Sequence, residues 1–180
     1  MKKVEAAMKK IKLTQGKEAI VDDDDYEMLM EHKWYADKDY TIKSKDKFYV
    51  KRSPPRDSNG KQKNIPMHRQ ITNAPEGMQV DHINGNTLDN RKENLRICTN
   101  QQNQMNRGRA NNNKSGYKGV CYRKKKKDMI NEYSKPWQAR IKHNQKQIYL
   151  GMYKTKEEAA RAYDKRAVEV FGEFAQLNFP

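Results

Sequence analysis

Apolar residues fall in short runs along this chain, and the spacing within the runs shifts from two to about four. IKLTQG and KEAIV alternate around a glycine turn and predict two short strands, and Asp22 to Asp25 predict the start of a helix through YEMLMEHKW. WYADKDYTIKS and KFYVKR alternate as a hairpin, DSNGK reads as a turn or loop, and Met67 to Ile71 as a short helical or turn segment. MQVDHI predicts a strand, Asn84-Gly85 a tight turn, Leu95 to Cys98 a second strand, and Thr99 the N-cap of a helix with Gln102 completing the box. RGRANNNKSG, residues 107–116, is small, polar and cationic, the composition of a linker.

After that linker the alternation returns in three runs: GYKGVCYRKKKK, KPWQARIKH and KQIYLGMYK. In the second run Trp137, Ala139 and Ile141 share one face, and Gln138, Arg140 and Lys142 share the other. A helix follows. Thr155 caps it with Glu158, Ala159, Tyr163, Ala167 and Phe171 recur at helical spacing, and Gly172 suits its end. The chain therefore reads as α+β, with room for two small domains in 180 residues.

Charge changes the picture. The net charge is +15, and residues 107–150 hold thirteen Lys or Arg against Asp128 and Glu132 alone. Such a surplus calls for a polyanionic partner, nucleic acid first, with the second half making most phosphate contacts, the Lys124–Lys127 run among them. No run approaches the roughly 20 apolar residues that span a bilayer, and no apolar segment follows the basic start as in a signal peptide. The expectation is a soluble, cytoplasmic protein with no membrane partner. Cys98 and Cys121 form no zinc spacing, so no zinc staple is expected, and they read as two reduced packing thiols.

Met78 to Arg107 carries the chemistry. Phosphodiester hydrolysis needs a base for water and a hard cation for the leaving oxygen. His82 supplies a base that titrates near neutrality, while Asp81 and Asn103 offer oxygen ligands suited to magnesium or manganese. Neighbours in a strand point to opposite faces, so Asp81-His82 is expected at a strand end. The segment resembles the HNH endonuclease motif, the ββα-metal fold, in its phage and intron-associated homing variant. There Asp-His replaces His-His, and Asn fills the last position. The resemblance implies His82 as general base, Asp81 and Asn103 as metal ligands, and Asn94 as the middle Asn that pins the loop for catalysis, with Asn90 a second candidate for that bracing. It also places His68 and Arg69 near the scissile phosphate. Arg107 is a further candidate for charge stabilisation. LTQGKEAIVDDDDYEMLMEHKWYA, residues 13–36, resembles the N-terminal extension of phage HNH proteins.

Gly116 to Pro180 resembles the Apetala-2/ethylene-response-factor DNA-binding domain, most closely in YKGV, YLGMYKTKEEAARAYDKRAVEVFG and LNFP. That implies a three-stranded antiparallel sheet covered by a helix. It places Lys118, Arg123, Arg140, Lys142, Gln147 and Tyr149 near DNA, with Tyr163 on its backbone. Trp137 reads equally as core plug or groove contact. Cys121 and Arg140 depart from the plant pattern, so base preference does not carry over.

The expected organisation is an extension (1–66), a nuclease core (67–108), a basic linker (109–116) and a DNA-binding domain (117–180). The expected function is cleavage of double-stranded DNA by a divalent-metal HNH endonuclease of homing type, phage- or host-encoded. One motif copy treats one strand at a time, so the enzyme is a monomer or a dimer assembled on DNA. The alternative is a sequence-specific DNA-binding transcriptional regulator whose HNH segment is inactive; an RNA-directed nuclease lacks a stacking platform in this sequence.

Overall fold

The computed structural model describes residues 7–40, 47–110, 112–124 and 133–180, and among them no helix is long and apolar enough to cross a membrane. Mixed α and β elements divide into two compact units, Met1–Asn100 and Gln101–Pro180. The division falls inside the 67–108 segment, at the start of its last helix.

In the first unit β1 (Met8–Lys12) and β2 (Glu18–Asp22) pair antiparallel, joined by a turn in which Gln15 and Gly16 both take positive φ. Helix α1 (Asp23–Met30) follows directly, with Asp23, Asp24 and Asp25 in its first turn, where the helix dipole favours negative charge. Strands β3 (Tyr35–Lys38), β4 (Phe48–Arg52) and β5 (Ile65–Pro66) form an antiparallel sheet in that order. The TIKS portion of the expected hairpin lies outside the described residues. Ile11, Val21, Leu29, Trp34, Val50 and Met67 make one core. Full burial of such side chains contributes about 1.5–3 kcal/mol each. The Trp34 indole donates to the Leu29 carbonyl at 2.7 Å, so a large ring is buried without stranding its N–H. Helix α2 (Met67–Thr72) then leads to the antiparallel pair β6 (Gln79–His82) and β7 (Leu95–Cys98), and α3 (Asn100–Met105) follows.

In the second unit β8 (Val120–Tyr122), β9 (Trp137–His143) and β10 (Lys146–Tyr153) form an antiparallel sheet with β9 central, packed against α4 (Lys156–Phe171). Alternation in β9 buries Ala139 and Ile141 against the helix and leaves Arg140 and Lys142 exposed. Leu150 is extra in the register between Tyr149 and Gly151, a β-bulge that bends β10. Thr155 and Glu158 make a reciprocal capping box on α4. The closing tail is pinned by polar bonds: Asp164 accepts from the backbone N–H of Asn178 and Phe179, and Asn178 in turn brackets Lys118 through that residue's N–H and carbonyl. LNFP thus ties the start of β8 to α4.

Candidate active site

The loop between β6 and β7 is built from short side chains that replace backbone partners. Asn94 accepts the Asn84 N–H at 2.9 Å and donates to the Asp89 carbonyl at 2.8 Å, joining both limbs of the loop. Asn84 and Asn86 each accept the N–H two residues on, as Asx turns do. Gly85 alone of the Asn84-Gly85 pair takes positive φ (74°), and its N–H closes a turn on the His82 carbonyl. Asp89, 2% exposed, accepts a bidentate fork from Arg91 and a further bond from Asn84. Those bonds, Arg91 first, hold its carboxyl below the usual range.

The N-terminal strands complete this loop. The Ile20 N–H donates to the Leu88 carbonyl, and the Asn90 N–H donates to the Ile20 carbonyl, so β2 pairs with residues 88–90. Asp22 accepts the Lys92 N–H, and Asp25 pairs with the Lys92 ammonium at 2.7 Å. The acidic run at Asp22 to Asp25 therefore braces the loop as well as lying at the positive end of a helix. Ile20, Asp22 and Asp25 carry a scaffolding role that their sequence does not announce.

His82 is the last residue of β6, opposite Leu95, and is buried. Its ring meets His68 edge-on at 5.2 Å and Tyr49 at 6.5 Å. Burial pushes the His82 pKa down, partly offset by the Asn90 amide, so the ring is neutral near pH 7. Asp81 lies directly across from Arg96, which donates from Nε and Nη2 to one carboxylate oxygen at 2.9 and 2.7 Å. Cys98 is a buried free thiol whose pKa burial raises.

The sequence candidates separate on this geometry. His68 sits against His82. Arg69 instead spends its guanidinium on the carbonyls of Met78, Ala74 and Pro75, so it clamps the α2–β6 connection and does not stand clear for a phosphate. Asn103 lies on α3, and Arg107 is exposed just beyond it. In the second unit Arg140, Lys142, Gln147 and Tyr149 share the exposed side of the sheet, in register as Gln147 with Lys142 and Tyr149 with Arg140. Arg123 is exposed beside the Tyr133 ring. Three placements correct the expectation. Tyr163 is 3% exposed in the core with Ile141, Ala167 and Phe171, so it cannot reach a DNA backbone. Lys118 turns inward, its ammonium donating to the Met105 carbonyl at 2.7 Å, and so is absent from the outer face. Trp137 packs beside the Val120–Ala139 core and edge-on to Tyr122, which makes it a plug. Lys124 ends a described segment, and Lys125 to Lys127 lie outside the described residues.

Sequence reasoning missed Arg96, Asp89 and Arg91. Drawing the β6–β7 register would have set Arg96 against Asp81, and the Asp-x-Arg spacing at 89–91 is a local ion-pair signal. As a metal test, Asp81 and Asn103 are hard oxygen donors that suit magnesium or manganese in kind. No group of three or more His, Cys, Asp or Glu that could hold an ion occurs among the described residues. A cation at Asp81 would share that carboxylate with Arg96.

His68 gives a pH prediction. Burial, reinforced by His82 and nearby cations, lowers its pKa to about 3. Protonation is thus resisted in the folded state, and stability falls as pH drops below the ordinary histidine value near 6.5, by about 2 kcal/mol at pH 5. Thermal melts of His68→Phe should show a shallower loss between pH 6.5 and 5 than the parent chain. Equal slopes would mean that His68 is protonated without cost.

Residues 73–105 match a family model described as HNH endonuclease. The chain is also similar to a protein of Acanthamoeba polyphaga mimivirus named uncharacterized HNH endonuclease L560, 36% identical over 104 residues, covering 58% of this chain and 49% of that protein. The chain spans about half the length of that curated relative. No solved structure matches.

Proposed function

We propose that the HNH endonuclease segment makes this chain a metal-dependent DNA endonuclease of homing type, with Asp81-His82 at the centre and the second unit holding duplex DNA. The observation that carries this reading is the Asn94-braced loop, which holds a buried, neutral His82 at the end of β6 next to the Asp81 carboxylate. His82 takes the proton of the attacking water. Asp81 and Asn103 would hold a divalent cation, which when bound supplies charge for the phosphate and the leaving oxygen. His68 packs on the ring of the base and fixes its orientation, while Arg69 keeps the α2–β6 connection in place.

In the second unit we assign DNA contact to the exposed sheet side bearing Arg140, Lys142, Gln147 and Tyr149, in the manner of an Apetala-2-like domain. A sheet with one such free side fits a major groove. DNA affinity should then fall steeply with salt, and the paired change Arg140→Ala with Lys142→Ala should reduce the log–log slope by about 2. An unchanged slope would move the phosphate contacts elsewhere.

One observation favours a second reading. The Asp81 carboxylate already accepts two bonds from Arg96, as in a regulator whose HNH segment is silent. Supercoiled plasmid incubated with the full chain separates the two. Nicking in magnesium that stops in EDTA supports the nuclease; retention of intact plasmid in both conditions supports the regulator.

A further inference from the structure

The second unit contains a cavity of about 430 Å³, within the range of small-ligand sites. It opens because β8 pairs only with Trp137–Ala139, so the Ile141–His143 edge of β9 has no strand beside it among the described residues. Arg109, Lys118, Arg140 and Lys142 line it, and no Asp or Glu does. Its floor is apolar and partly aromatic, formed by Met105, Ile141, Tyr163 and Phe171.

Three details mark the cavity as more than a gap in packing. The Lys118 ammonium lies 6.0 Å from the Tyr163 ring centre, and burial lowers its pKa to about 8, a cost that an incoming anion would offset. His143 packs on Phe171 at 5.8 Å, yet its buried Nδ1 has no hydrogen-bond partner among the described residues. The β9–β10 turn sets Asn144 and Gln145 at φ 48° and 62°. Asn tolerates that conformation, whereas a Gln there is strained, and both residues line the cavity.

We infer that this cavity binds one nucleotide unit, a base together with its phosphate. The Lys118 ammonium and the Arg109 guanidinium, with no Asp or Glu in the lining, match the phosphate. A ring-bearing apolar floor matches a base face, and the turn residues Asn144 and Gln145 match base edges. A bare phosphate would leave the floor unfilled, and an apolar ligand would bury the cations unpaired. The nucleotide comes either free or turned out of a DNA strand, and the same contacts serve both.

The inference does not depend on cleavage, so the test runs in EDTA on the full chain. Anisotropy compares a duplex carrying one bulged deoxyadenosine with the fully paired duplex, and calorimetry compares dAMP with deoxyadenosine. The bulged duplex should bind about tenfold more tightly than the paired one, or dAMP should bind where deoxyadenosine does not. A bulge preference alone identifies the extruded base as the ligand, and dAMP binding alone identifies the free nucleotide. Lys118→Gln should remove whichever is seen. Gln145→Gly should weaken it while raising the melting temperature, which separates a lost contact from a lost fold. Neither signal in the parent chain, or signals unchanged in both variants, overturns the site.

Discussion

His82→Ala should lower DNA cleavage by about 100- to 10,000-fold while leaving DNA retention nearly intact. The size follows from the place of the ring. It is the last residue of β6, buried and neutral, with its plane set by His68 and Tyr49, so no solvent molecule takes over its proton-accepting role in the same position. Retention should survive because the exposed cations assigned to DNA contact lie in the second unit. Deleting a buried ring also costs stability, so the variant is compared below its own melting temperature, with far-UV circular dichroism as the check on fold. Undiminished nicking by a folded His82→Ala would remove this residue from the chemistry.

Gly119→Ala should disable the other half of the molecule. A Cβ at Gly119 would stand 2.0 Å from Tyr163 Cδ2 and 2.8 Å from the Arg140 carbonyl oxygen, at φ +76°. The tyrosine can move only by leaving its core, and the backbone oxygen belongs to the central strand. Overpacking of this kind together with an unfavourable φ costs about 3–5 kcal/mol, a large part of the net stability of a small domain. The expected result is a separate low-temperature melting step and loss of salt-sensitive DNA binding. A melt and affinity equal to the parent chain's would contradict the packing of Tyr163 described above.

What the sequence made legible depended on distance along the chain. The capping box at Thr155 and Glu158 and the β9 alternation are local patterns, and the structure contains both. Tyr163 shows a conflict between two signals. Its spacing with Ala159, Ala167 and Phe171 put it on an apolar helix face, while family resemblance sent it to DNA, and its burial follows the spacing. Lys118 misled for another reason. The family resemblance put this lysine near DNA, but the carbonyl that receives it belongs to Met105, thirteen residues earlier in a different element. The support of the β6–β7 loop by β2 was hidden for the same cause. Lys92 and Asp22 are 70 residues apart, and neither residue alone signals the other. The Asp81–Arg96 pair was nearer to hand, since both residues lie on predicted strands that pair with each other.

We propose that Asp81 holds a cation used in hydrolysis, despite its bond to Arg96. The most direct measurement is manganese uptake by electron paramagnetic resonance, in the His82→Ala background with uncut duplex present so that no product forms. The account predicts about one bound manganese per chain, lost or sharply weakened when Asp81→Ala is added. Equal manganese binding with and without the Asp81 carboxylate would contradict it.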